Sequence, residues 1–212
     1  NAGVPYEKSG AVLIAWNESQ MEALPGILSK AHENGVKDAR ILNLEEINEL
    51  EPHINKNALG GLIVPGESII CTFTLPLAYA TDAVVNGVHL ELNFKVQEIN
   101  DIDGVYELTA SGKSIRSQYV INAAGLYSDE IDSKFGHQRF TVTPRRGELI
   151  VFDKLAHPLV KHVLLPIPTA YTKGVLISPT VYGNIMLGPT AEDREDKNEK
   201  GTSAEGIEYL WG

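Results

Sequence analysis

The chain of 212 residues has a single cysteine, Cys71. One thiol excludes an internal disulfide and cannot build a zinc site alone. The six histidines (32, 53, 89, 137, 157 and 162) form no i,i+4 pair and no H-E-x-x-H motif, so no metal centre is expected. Long hydrophobic runs are missing too. Residues 11–16 and 163–165 are strand-length, far short of the ~18 apolar residues of a membrane span. Basic residues are the minority, 18 Lys and Arg against 28 Asp and Glu, for a formal net charge of −10. Such a chain has no generic attraction to phosphate backbones, so no nucleic-acid partner is expected. Among the nineteen glycines no two stand two positions apart, which excludes a G-x-G-x-x-G dinucleotide fingerprint within the chain. Gly183 and Gly188 have phosphate-loop spacing, but Pro189 occupies the position that needs lysine. No G-x-S-x-G elbow is present. The chain carries no self-contained catalytic constellation.

What is present is globular. Hydrophobic residues make up 43% and charged residues 22%, near the average for folded domains. A chain of this size buries roughly 70% of its unfolded surface, enough for a core without staples. The single cysteine agrees with a reducing, cytoplasmic setting. There is no initiator Met and no signal peptide; Asn1-Ala2 reads as a tag remnant, and the chain stops within an expected helix opened by Thr202-Ser203. The expectation is an internal fragment of a longer protein.

Patterning predicts a mixed α/β chain. Strands are expected at residues 9–16, 39–42 and 60–65, with helices at 17–34, 43–50 and 74–86. Four short strands at 88–92, 94–100, 105–110 and 114–117 follow, with Asp103-Gly104 and Ser111-Gly112 as hairpin turns. Residues 119–125 read as an apolar strand ending on small residues before a helix at 128–135. Strands at 148–152, 175–178 and 185–187 complete the pattern, and residues 193–200 (DREDKNEK) read as a solvated, looped charge run. The meander is expected to pack with 119–125, while 9–65 and 138–200 share a different sheet.

A strand ending in Asn122-Ala123-Ala124-Gly125 offers almost no side chain, so backbone can approach a ligand closely there. A tight structural turn would look the same. The segment 119–132 (YVINAAGLYSDEID) resembles the V-[IV]-N-A-A-G-x-[WY]-[SA] element of FAD-dependent oxidoreductases of the D-amino-acid-oxidase superfamily. Two further segments are similar to elements of that family, 144–152 (PRRGELIVF) and 179–193 (PTVYGNIMLGPTAED), the latter the most diagnostic. Glu51-Pro52 precedes them in the expected order. The flavour is nearest to the glycerol-3-phosphate dehydrogenase and L-2-hydroxyglutarate oxidase branches.

The resemblance implies the middle of a two-domain flavoprotein: an antiparallel-sheet substrate domain in segments 1–65 and 137–212, and part of the FAD domain, meander plus one central strand, in 66–136. It implies that the backbone of Val96 meets the adenine, and that Ala123, Ala124 and Gly125 pack on the ADP half of the FAD. Arg145, Arg146, Tyr171 and Thr190 lie on segments that wall the substrate side. A guanidinium suits a phosphate or carboxylate bidentately, so Arg146 is the first candidate to hold a small anionic substrate. Either arginine could equally be a solvated strand-end charge, Tyr171 a core or rim residue, and Thr190 a turn cap. His157, His162 and Cys71 read as structural. The parent is expected to oxidise glycerol 3-phosphate or a related anionic hydroxy compound, passing electrons to a quinone, oxygen or a partner protein. It is expected in the cytoplasm or peripheral to the inner face of the membrane, and the fragment alone without FAD and inactive. A stand-alone binding or interaction module is the alternative.

Overall fold

The computed structural model describes residues 3–168 and 174–212. The first half runs β1 (Tyr6–Glu7), β2 (Ala11–Ala15), α1 (Glu18–Glu33), β3 (Arg40–Leu42), α2 (Leu44–Leu50), β4 (Gly60–Val64), β5 (Ile69–Ile70) and α3 (Thr74–Val85). A meander follows: β6 (Glu98–Ile102), β7 (Val105–Ala110) and β8 (Lys113–Ser117). Then come a 3-10 turn (Gly125–Tyr127), α4 (Ser128–Lys134), β9 (Arg145–Arg146), β10 (Ile150–Phe152) and a second 3-10 segment (Lys154–Leu159). The chain continues through β11 (Val163–Pro166), β12 (Leu176–Pro179), β13 (Ile185–Gly188), β14 (Glu192–Asp193) and α5 (Ala204–Trp211).

These elements form two compact units. The first comprises Asn1–Ala83, Gly147–Ala191 and Thr202–Gly212; the second comprises Val84–Arg146 and Glu192–Gly201. The first unit is built on a seven-stranded sheet in the order β10-β13-β12-β11-β2-β4-β3. All its pairs are antiparallel except β11 against β2. Residues from 11–64 and from 150–188 thus share one sheet and the meander forms another, but Arg145–Arg146 and Glu192–Asp193, within the stretch 138–200 expected in the first sheet, pair in a separate two-stranded sheet.

The uninterrupted apolar run of β2 is explained by burial on both sides. Val12 and Ile14 pack with Leu42, Ile47 and Leu164 under α2, whereas Leu13 and Ala15 pack with Leu24, Leu62 and Ile167 under α1. Helix α1 starts at Asn17, whose side chain accepts from the Gln20 amide, and it runs through Pro25. Helix α2 opens with a capping box between Asn43 and Glu46. Gly61 permits the crossing of β4 under α2: a Cβ there would press on Ile47 and on the Leu13 carbonyl.

In the second unit both hairpins turn on residues with positive φ, Asp103-Gly104 (54° and 81°) and Ser111-Gly112 (50° and 80°). That is the type I′ geometry such dipeptides favour. Three expectations need correction. Residues 88–92 are not a strand, and the strand expected from 94 begins at Glu98. Residues 119–125 are not a strand either: among the described residues none pairs with them. A strand exists only with a ladder partner, and Tyr119 and Ile121 remain 84% and 90% exposed. Among the described residues no helix is long and apolar enough to cross a membrane.

Candidate functional site

A cleft of about 810 Å³ opens in the second unit. One wall is the segment leading into β6, including Val96 and Gln97; the other is Ala124 followed by Tyr127, Glu130, Ile131 and Lys134. The spacing 127, 130, 131, 134 puts four side chains on one helical face. That face could have been found from sequence by periodicity, but the expected site stopped at Gly125. Lys134 Nζ donates to the Gln97 carbonyl at 2.7 Å, joining the two walls.

The turn between them is tied by Asn122. Its side-chain amide donates to Ser128 O at 2.8 Å and its Oδ1 accepts from the Ala124 amide at 3.3 Å. Ala123, Ala124 and Gly125 are exposed, and Gly125 (φ 55°) has open space where a Cβ would stand. Val96 and Ala124 therefore border the same cleft, whereas Ala123 and Gly125 are not among the residues that line it. Behind α4, buried Asp132 receives the Arg139 amide (3.1 Å) and guanidinium (2.5 and 3.0 Å), and Arg139 holds its carboxyl below the usual range.

Arg145 and Arg146 form β9, paired with β14. Arg145 clasps Asp193 with Nε and Nη2 at 2.6 and 3.0 Å, which raises the arginine and lowers the aspartate. The Arg146 side chain is only 10% exposed and sits between Glu199 (2.8 Å) and Glu192 (3.1 Å). The charge run that follows is the mostly exposed loop expected, with Arg194 and Lys197 half-buried in it. Lys197 is anchored to Asp129 at 2.5 Å and lies 3.6 Å from Glu130. The run's alternating charges found partners brought near only by the fold.

Thr190 belongs to the first unit. Its Oγ1 accepts from the Glu148 amide at 2.9 Å, and its own amide donates to Glu148 O at 3.1 Å. Glu148 in turn receives the Ser203 hydroxyl (2.9 Å) and amide (3.2 Å) ahead of α5. Tyr171 lies outside the described residues. A second cavity, about 380 Å³, lies over β2, β11 and β12, floored by Ile14, Leu164 and Ile177 and rimmed by Glu51 and His53.

The chain thus comprises a unit built on a mixed sheet and a meander-and-helix unit that carries an open cleft. The chain belongs to the FAD dependent oxidoreductase (DAO) family, whose model matches residues 1–212. It is 34% identical over 207 residues to the glycerol 3-phosphate dehydrogenase of Caloramator mitchellensis, covering 98% of this chain and 43% of the relative. It is 30% identical over 201 residues to the glycerol 3-phosphate oxidase of Mycoplasma pneumoniae, covering 92% and 52%. The solved dithionite-reduced L-α-glycerophosphate oxidase of Mycoplasma pneumoniae, with FAD bound, superposes with a TM-score of 0.91 at 28% identity, over 99% of this chain and 56% of that one. The chain spans about half the length of these relatives. The cleft volume and the small, exposed Ala124 on its wall leave room for a group the size of an adenosine, one end of an FAD. Residues 3–168 and 174–212 include no glycine-rich fingerprint for its pyrophosphate.

Proposed function

We propose that the complete protein oxidises glycerol 3-phosphate, and that this chain supplies its central part. The observation that carries the reading is the 34% identity to a glycerol 3-phosphate dehydrogenase over nearly the whole chain, against 28% for the bovine L-2-hydroxyglutarate dehydrogenase. In this reading the second unit borders the adenosine end of FAD through Val96, Ala123, Ala124 and Gly125. The first unit contributes to the substrate side, with Thr190 there and Tyr171 on the segment before β12. A bound FAD would supply the hydride-acceptor chemistry at the carbon bearing the substrate hydroxyl. Arg145 and Arg146 supply positive charge on β9, now balanced by Asp193, Glu192 and Glu199. For either to hold the substrate phosphate, the anion must exchange with a carboxylate.

The test is an acceptor-linked assay of the complete, FAD-loaded protein with glycerol 3-phosphate and with L-2-hydroxyglutarate. A higher kcat/KM for glycerol 3-phosphate is expected; a preference for L-2-hydroxyglutarate would overturn the substrate. The isolated 212-residue chain, lacking the fingerprint that cradles a pyrophosphate, is expected to be colourless and inactive. Flavin absorbance surviving extensive dialysis would refute that.

A further inference from the structure

Tyr127 and Glu130 at the cleft take side-chain contacts from outside their own helix as well as from within it. Helix α4 begins with Tyr127 at its N-cap position and has no side-chain cap hydrogen bond. Locally the start is held by Asn122 on Ser128 O and by the Glu130 amide on Asp129 Oδ1, and the run 192–201 adds contacts from outside the helix. Tyr127 Oη donates to Asn198 Oδ1 at 2.7 Å, and the Lys197 ammonium lies 5.6 Å from the centroid of the same ring. Lys197 also reaches Asp129 and Glu130 in the first turn of α4. The Lys197 and Asp129 side chains are 16% and 13% exposed, so their attraction is screened less than that of a surface pair. The run is fastened at its ends as well, by β14 on β9 and by Glu199 on Arg146.

We infer that residues 192–201 form a positioning strap for the nucleotide cleft, with Lys197 and Asn198 setting Tyr127 and Glu130 against the adenosine end of FAD. The inference rests on the cofactor reading above. Tyr127 offers a flat aromatic face with only two side-chain torsions to fix, and a purine is sequence-tolerant in what it stacks on. Lys197 and Asn198 are positioning residues: they act through Tyr127, Asp129 and Glu130.

The experiment measures binding of ADP, FAD and FMN to the complete apoprotein by titration calorimetry, for wild type, Lys197→Met, Lys197→Arg and Asn198→Ala. Lys197→Met should weaken ADP and FAD by roughly tenfold, equivalent to about 1.4 kcal/mol, with FMN, which lacks the adenosine half, unchanged. Lys197→Arg should restore binding, because it keeps the charge opposite Asp129. Asn198→Ala, at an exposed position, should show a smaller loss of the same selectivity and carries the test if Lys197→Met does not fold. Wild-type affinities for ADP in both Lys197→Met and Asn198→Ala, or equal losses for FMN and ADP, would overturn the strap's role. A wild-type protein that takes up neither ADP nor FAD would overturn the cofactor reading itself.

Discussion

The backbone amide of His162 and its imidazole Nδ1 each lie 2.7 Å from the same oxygen, Oε1 of Glu51, 111 positions earlier in the chain. The Lys161 amide donates to the same carboxylate at 3.0 Å. Glu51 is the C-cap of α2 and is 1% exposed. One buried carboxylate thus staples the end of α2 to the entry of β11. Removing it strands two amides without an acceptor. Glu51→Ala should lower unfolding free energy by about 2–5 kcal/mol. Glu51→Gln, which keeps one acceptor oxygen, should lose less. Urea denaturation of the two variants checks this, and a stable Glu51→Ala would show that water replaces the staple.

Two glycine-to-alanine substitutions within helices should have opposite signs. Gly26 lies inside α1 with nothing within 4 Å of the position a Cβ would take. Gly26→Ala should stabilise by about 0.5–1 kcal/mol through helix propensity and a less free unfolded chain. Gly206 lies in the first turn of α5, where a Cβ would collide with the Glu148 carboxylate, 2.6 Å from its Cδ. Gly206→Ala should destabilise, because Glu148 must abandon Ser203 to make room. Thermal melts of both variants decide it; an unchanged Tm for Gly206→Ala would mean that Glu148 moves at no cost.

The contrast between these sites shows what the sequence could tell. Patterns carried by neighbouring residues were legible: the buried run of β2, the helices α1 and α2, and the two hairpin turns. Segments whose state depends on a distant partner were not. Residues 119–124 look like a strand, yet lack a ladder partner among the described residues. The cleft was half legible. Val96 and Ala124, singled out from the family resemblance, border one cleft, but Lys134, which joins its walls, and Lys197, which holds Asp129, act across 37 and 68 positions. The run 193–200 is the mostly exposed loop expected, but only the fold shows that Lys197 meets Asp129 and that Lys197 and Asn198 meet Tyr127.

Acid should loosen the Lys197–Asp129 fastening of the strap only below about pH 4. The Lys197 hydrogen bond, then the Val142 amide at 2.9 Å, hold the Asp129 carboxyl down at about 2. A carboxyl depressed in the folded state contributes stability above its unfolded pKa of about 3.9 and loses it as pH falls through the folded value. Lys197 is raised by the same contact with Asp129, so its share is present below its unfolded pKa and is lost only at strongly alkaline pH. The weakening therefore falls between about pH 4 and pH 2. A carboxyl NMR titration should place Asp129 near 2 in the wild type and move it upward in Lys197→Met. An unmoved Asp129 would assign the whole depression to the Val142 amide.

Cys71 should be a partly ionised thiol near neutral pH, and Tyr182 should be part of the reason. Cys71 sits just ahead of α3, its Sγ 3.4 Å from the Thr74 amide and 3.3 Å from the Tyr182 hydroxyl. Hydrogen bonding from Thr74, then from Tyr182, brings the thiol down to about 7 and raises the phenol above its ordinary value. Both shifts have one cause: a thiolate accepting the phenolic proton is favoured, and losing that proton beside sulfur is disfavoured. Tyr182→Phe keeps the ring and deletes the donor. The thiolate absorbance midpoint should therefore rise from about 7 toward the ordinary value of about 8.5, with Thr74 retaining part of the depression. Iodoacetamide labelling at pH 7, located on the Cys71 peptide, should slow by about twofold or more, because the thiolate is the nucleophile. The chain's single cysteine makes the readout unambiguous within these residues. If Tyr182→Phe labels as fast as wild type with an unshifted midpoint, Thr74 alone sets the thiol, and the Tyr182 hydroxyl is a bystander.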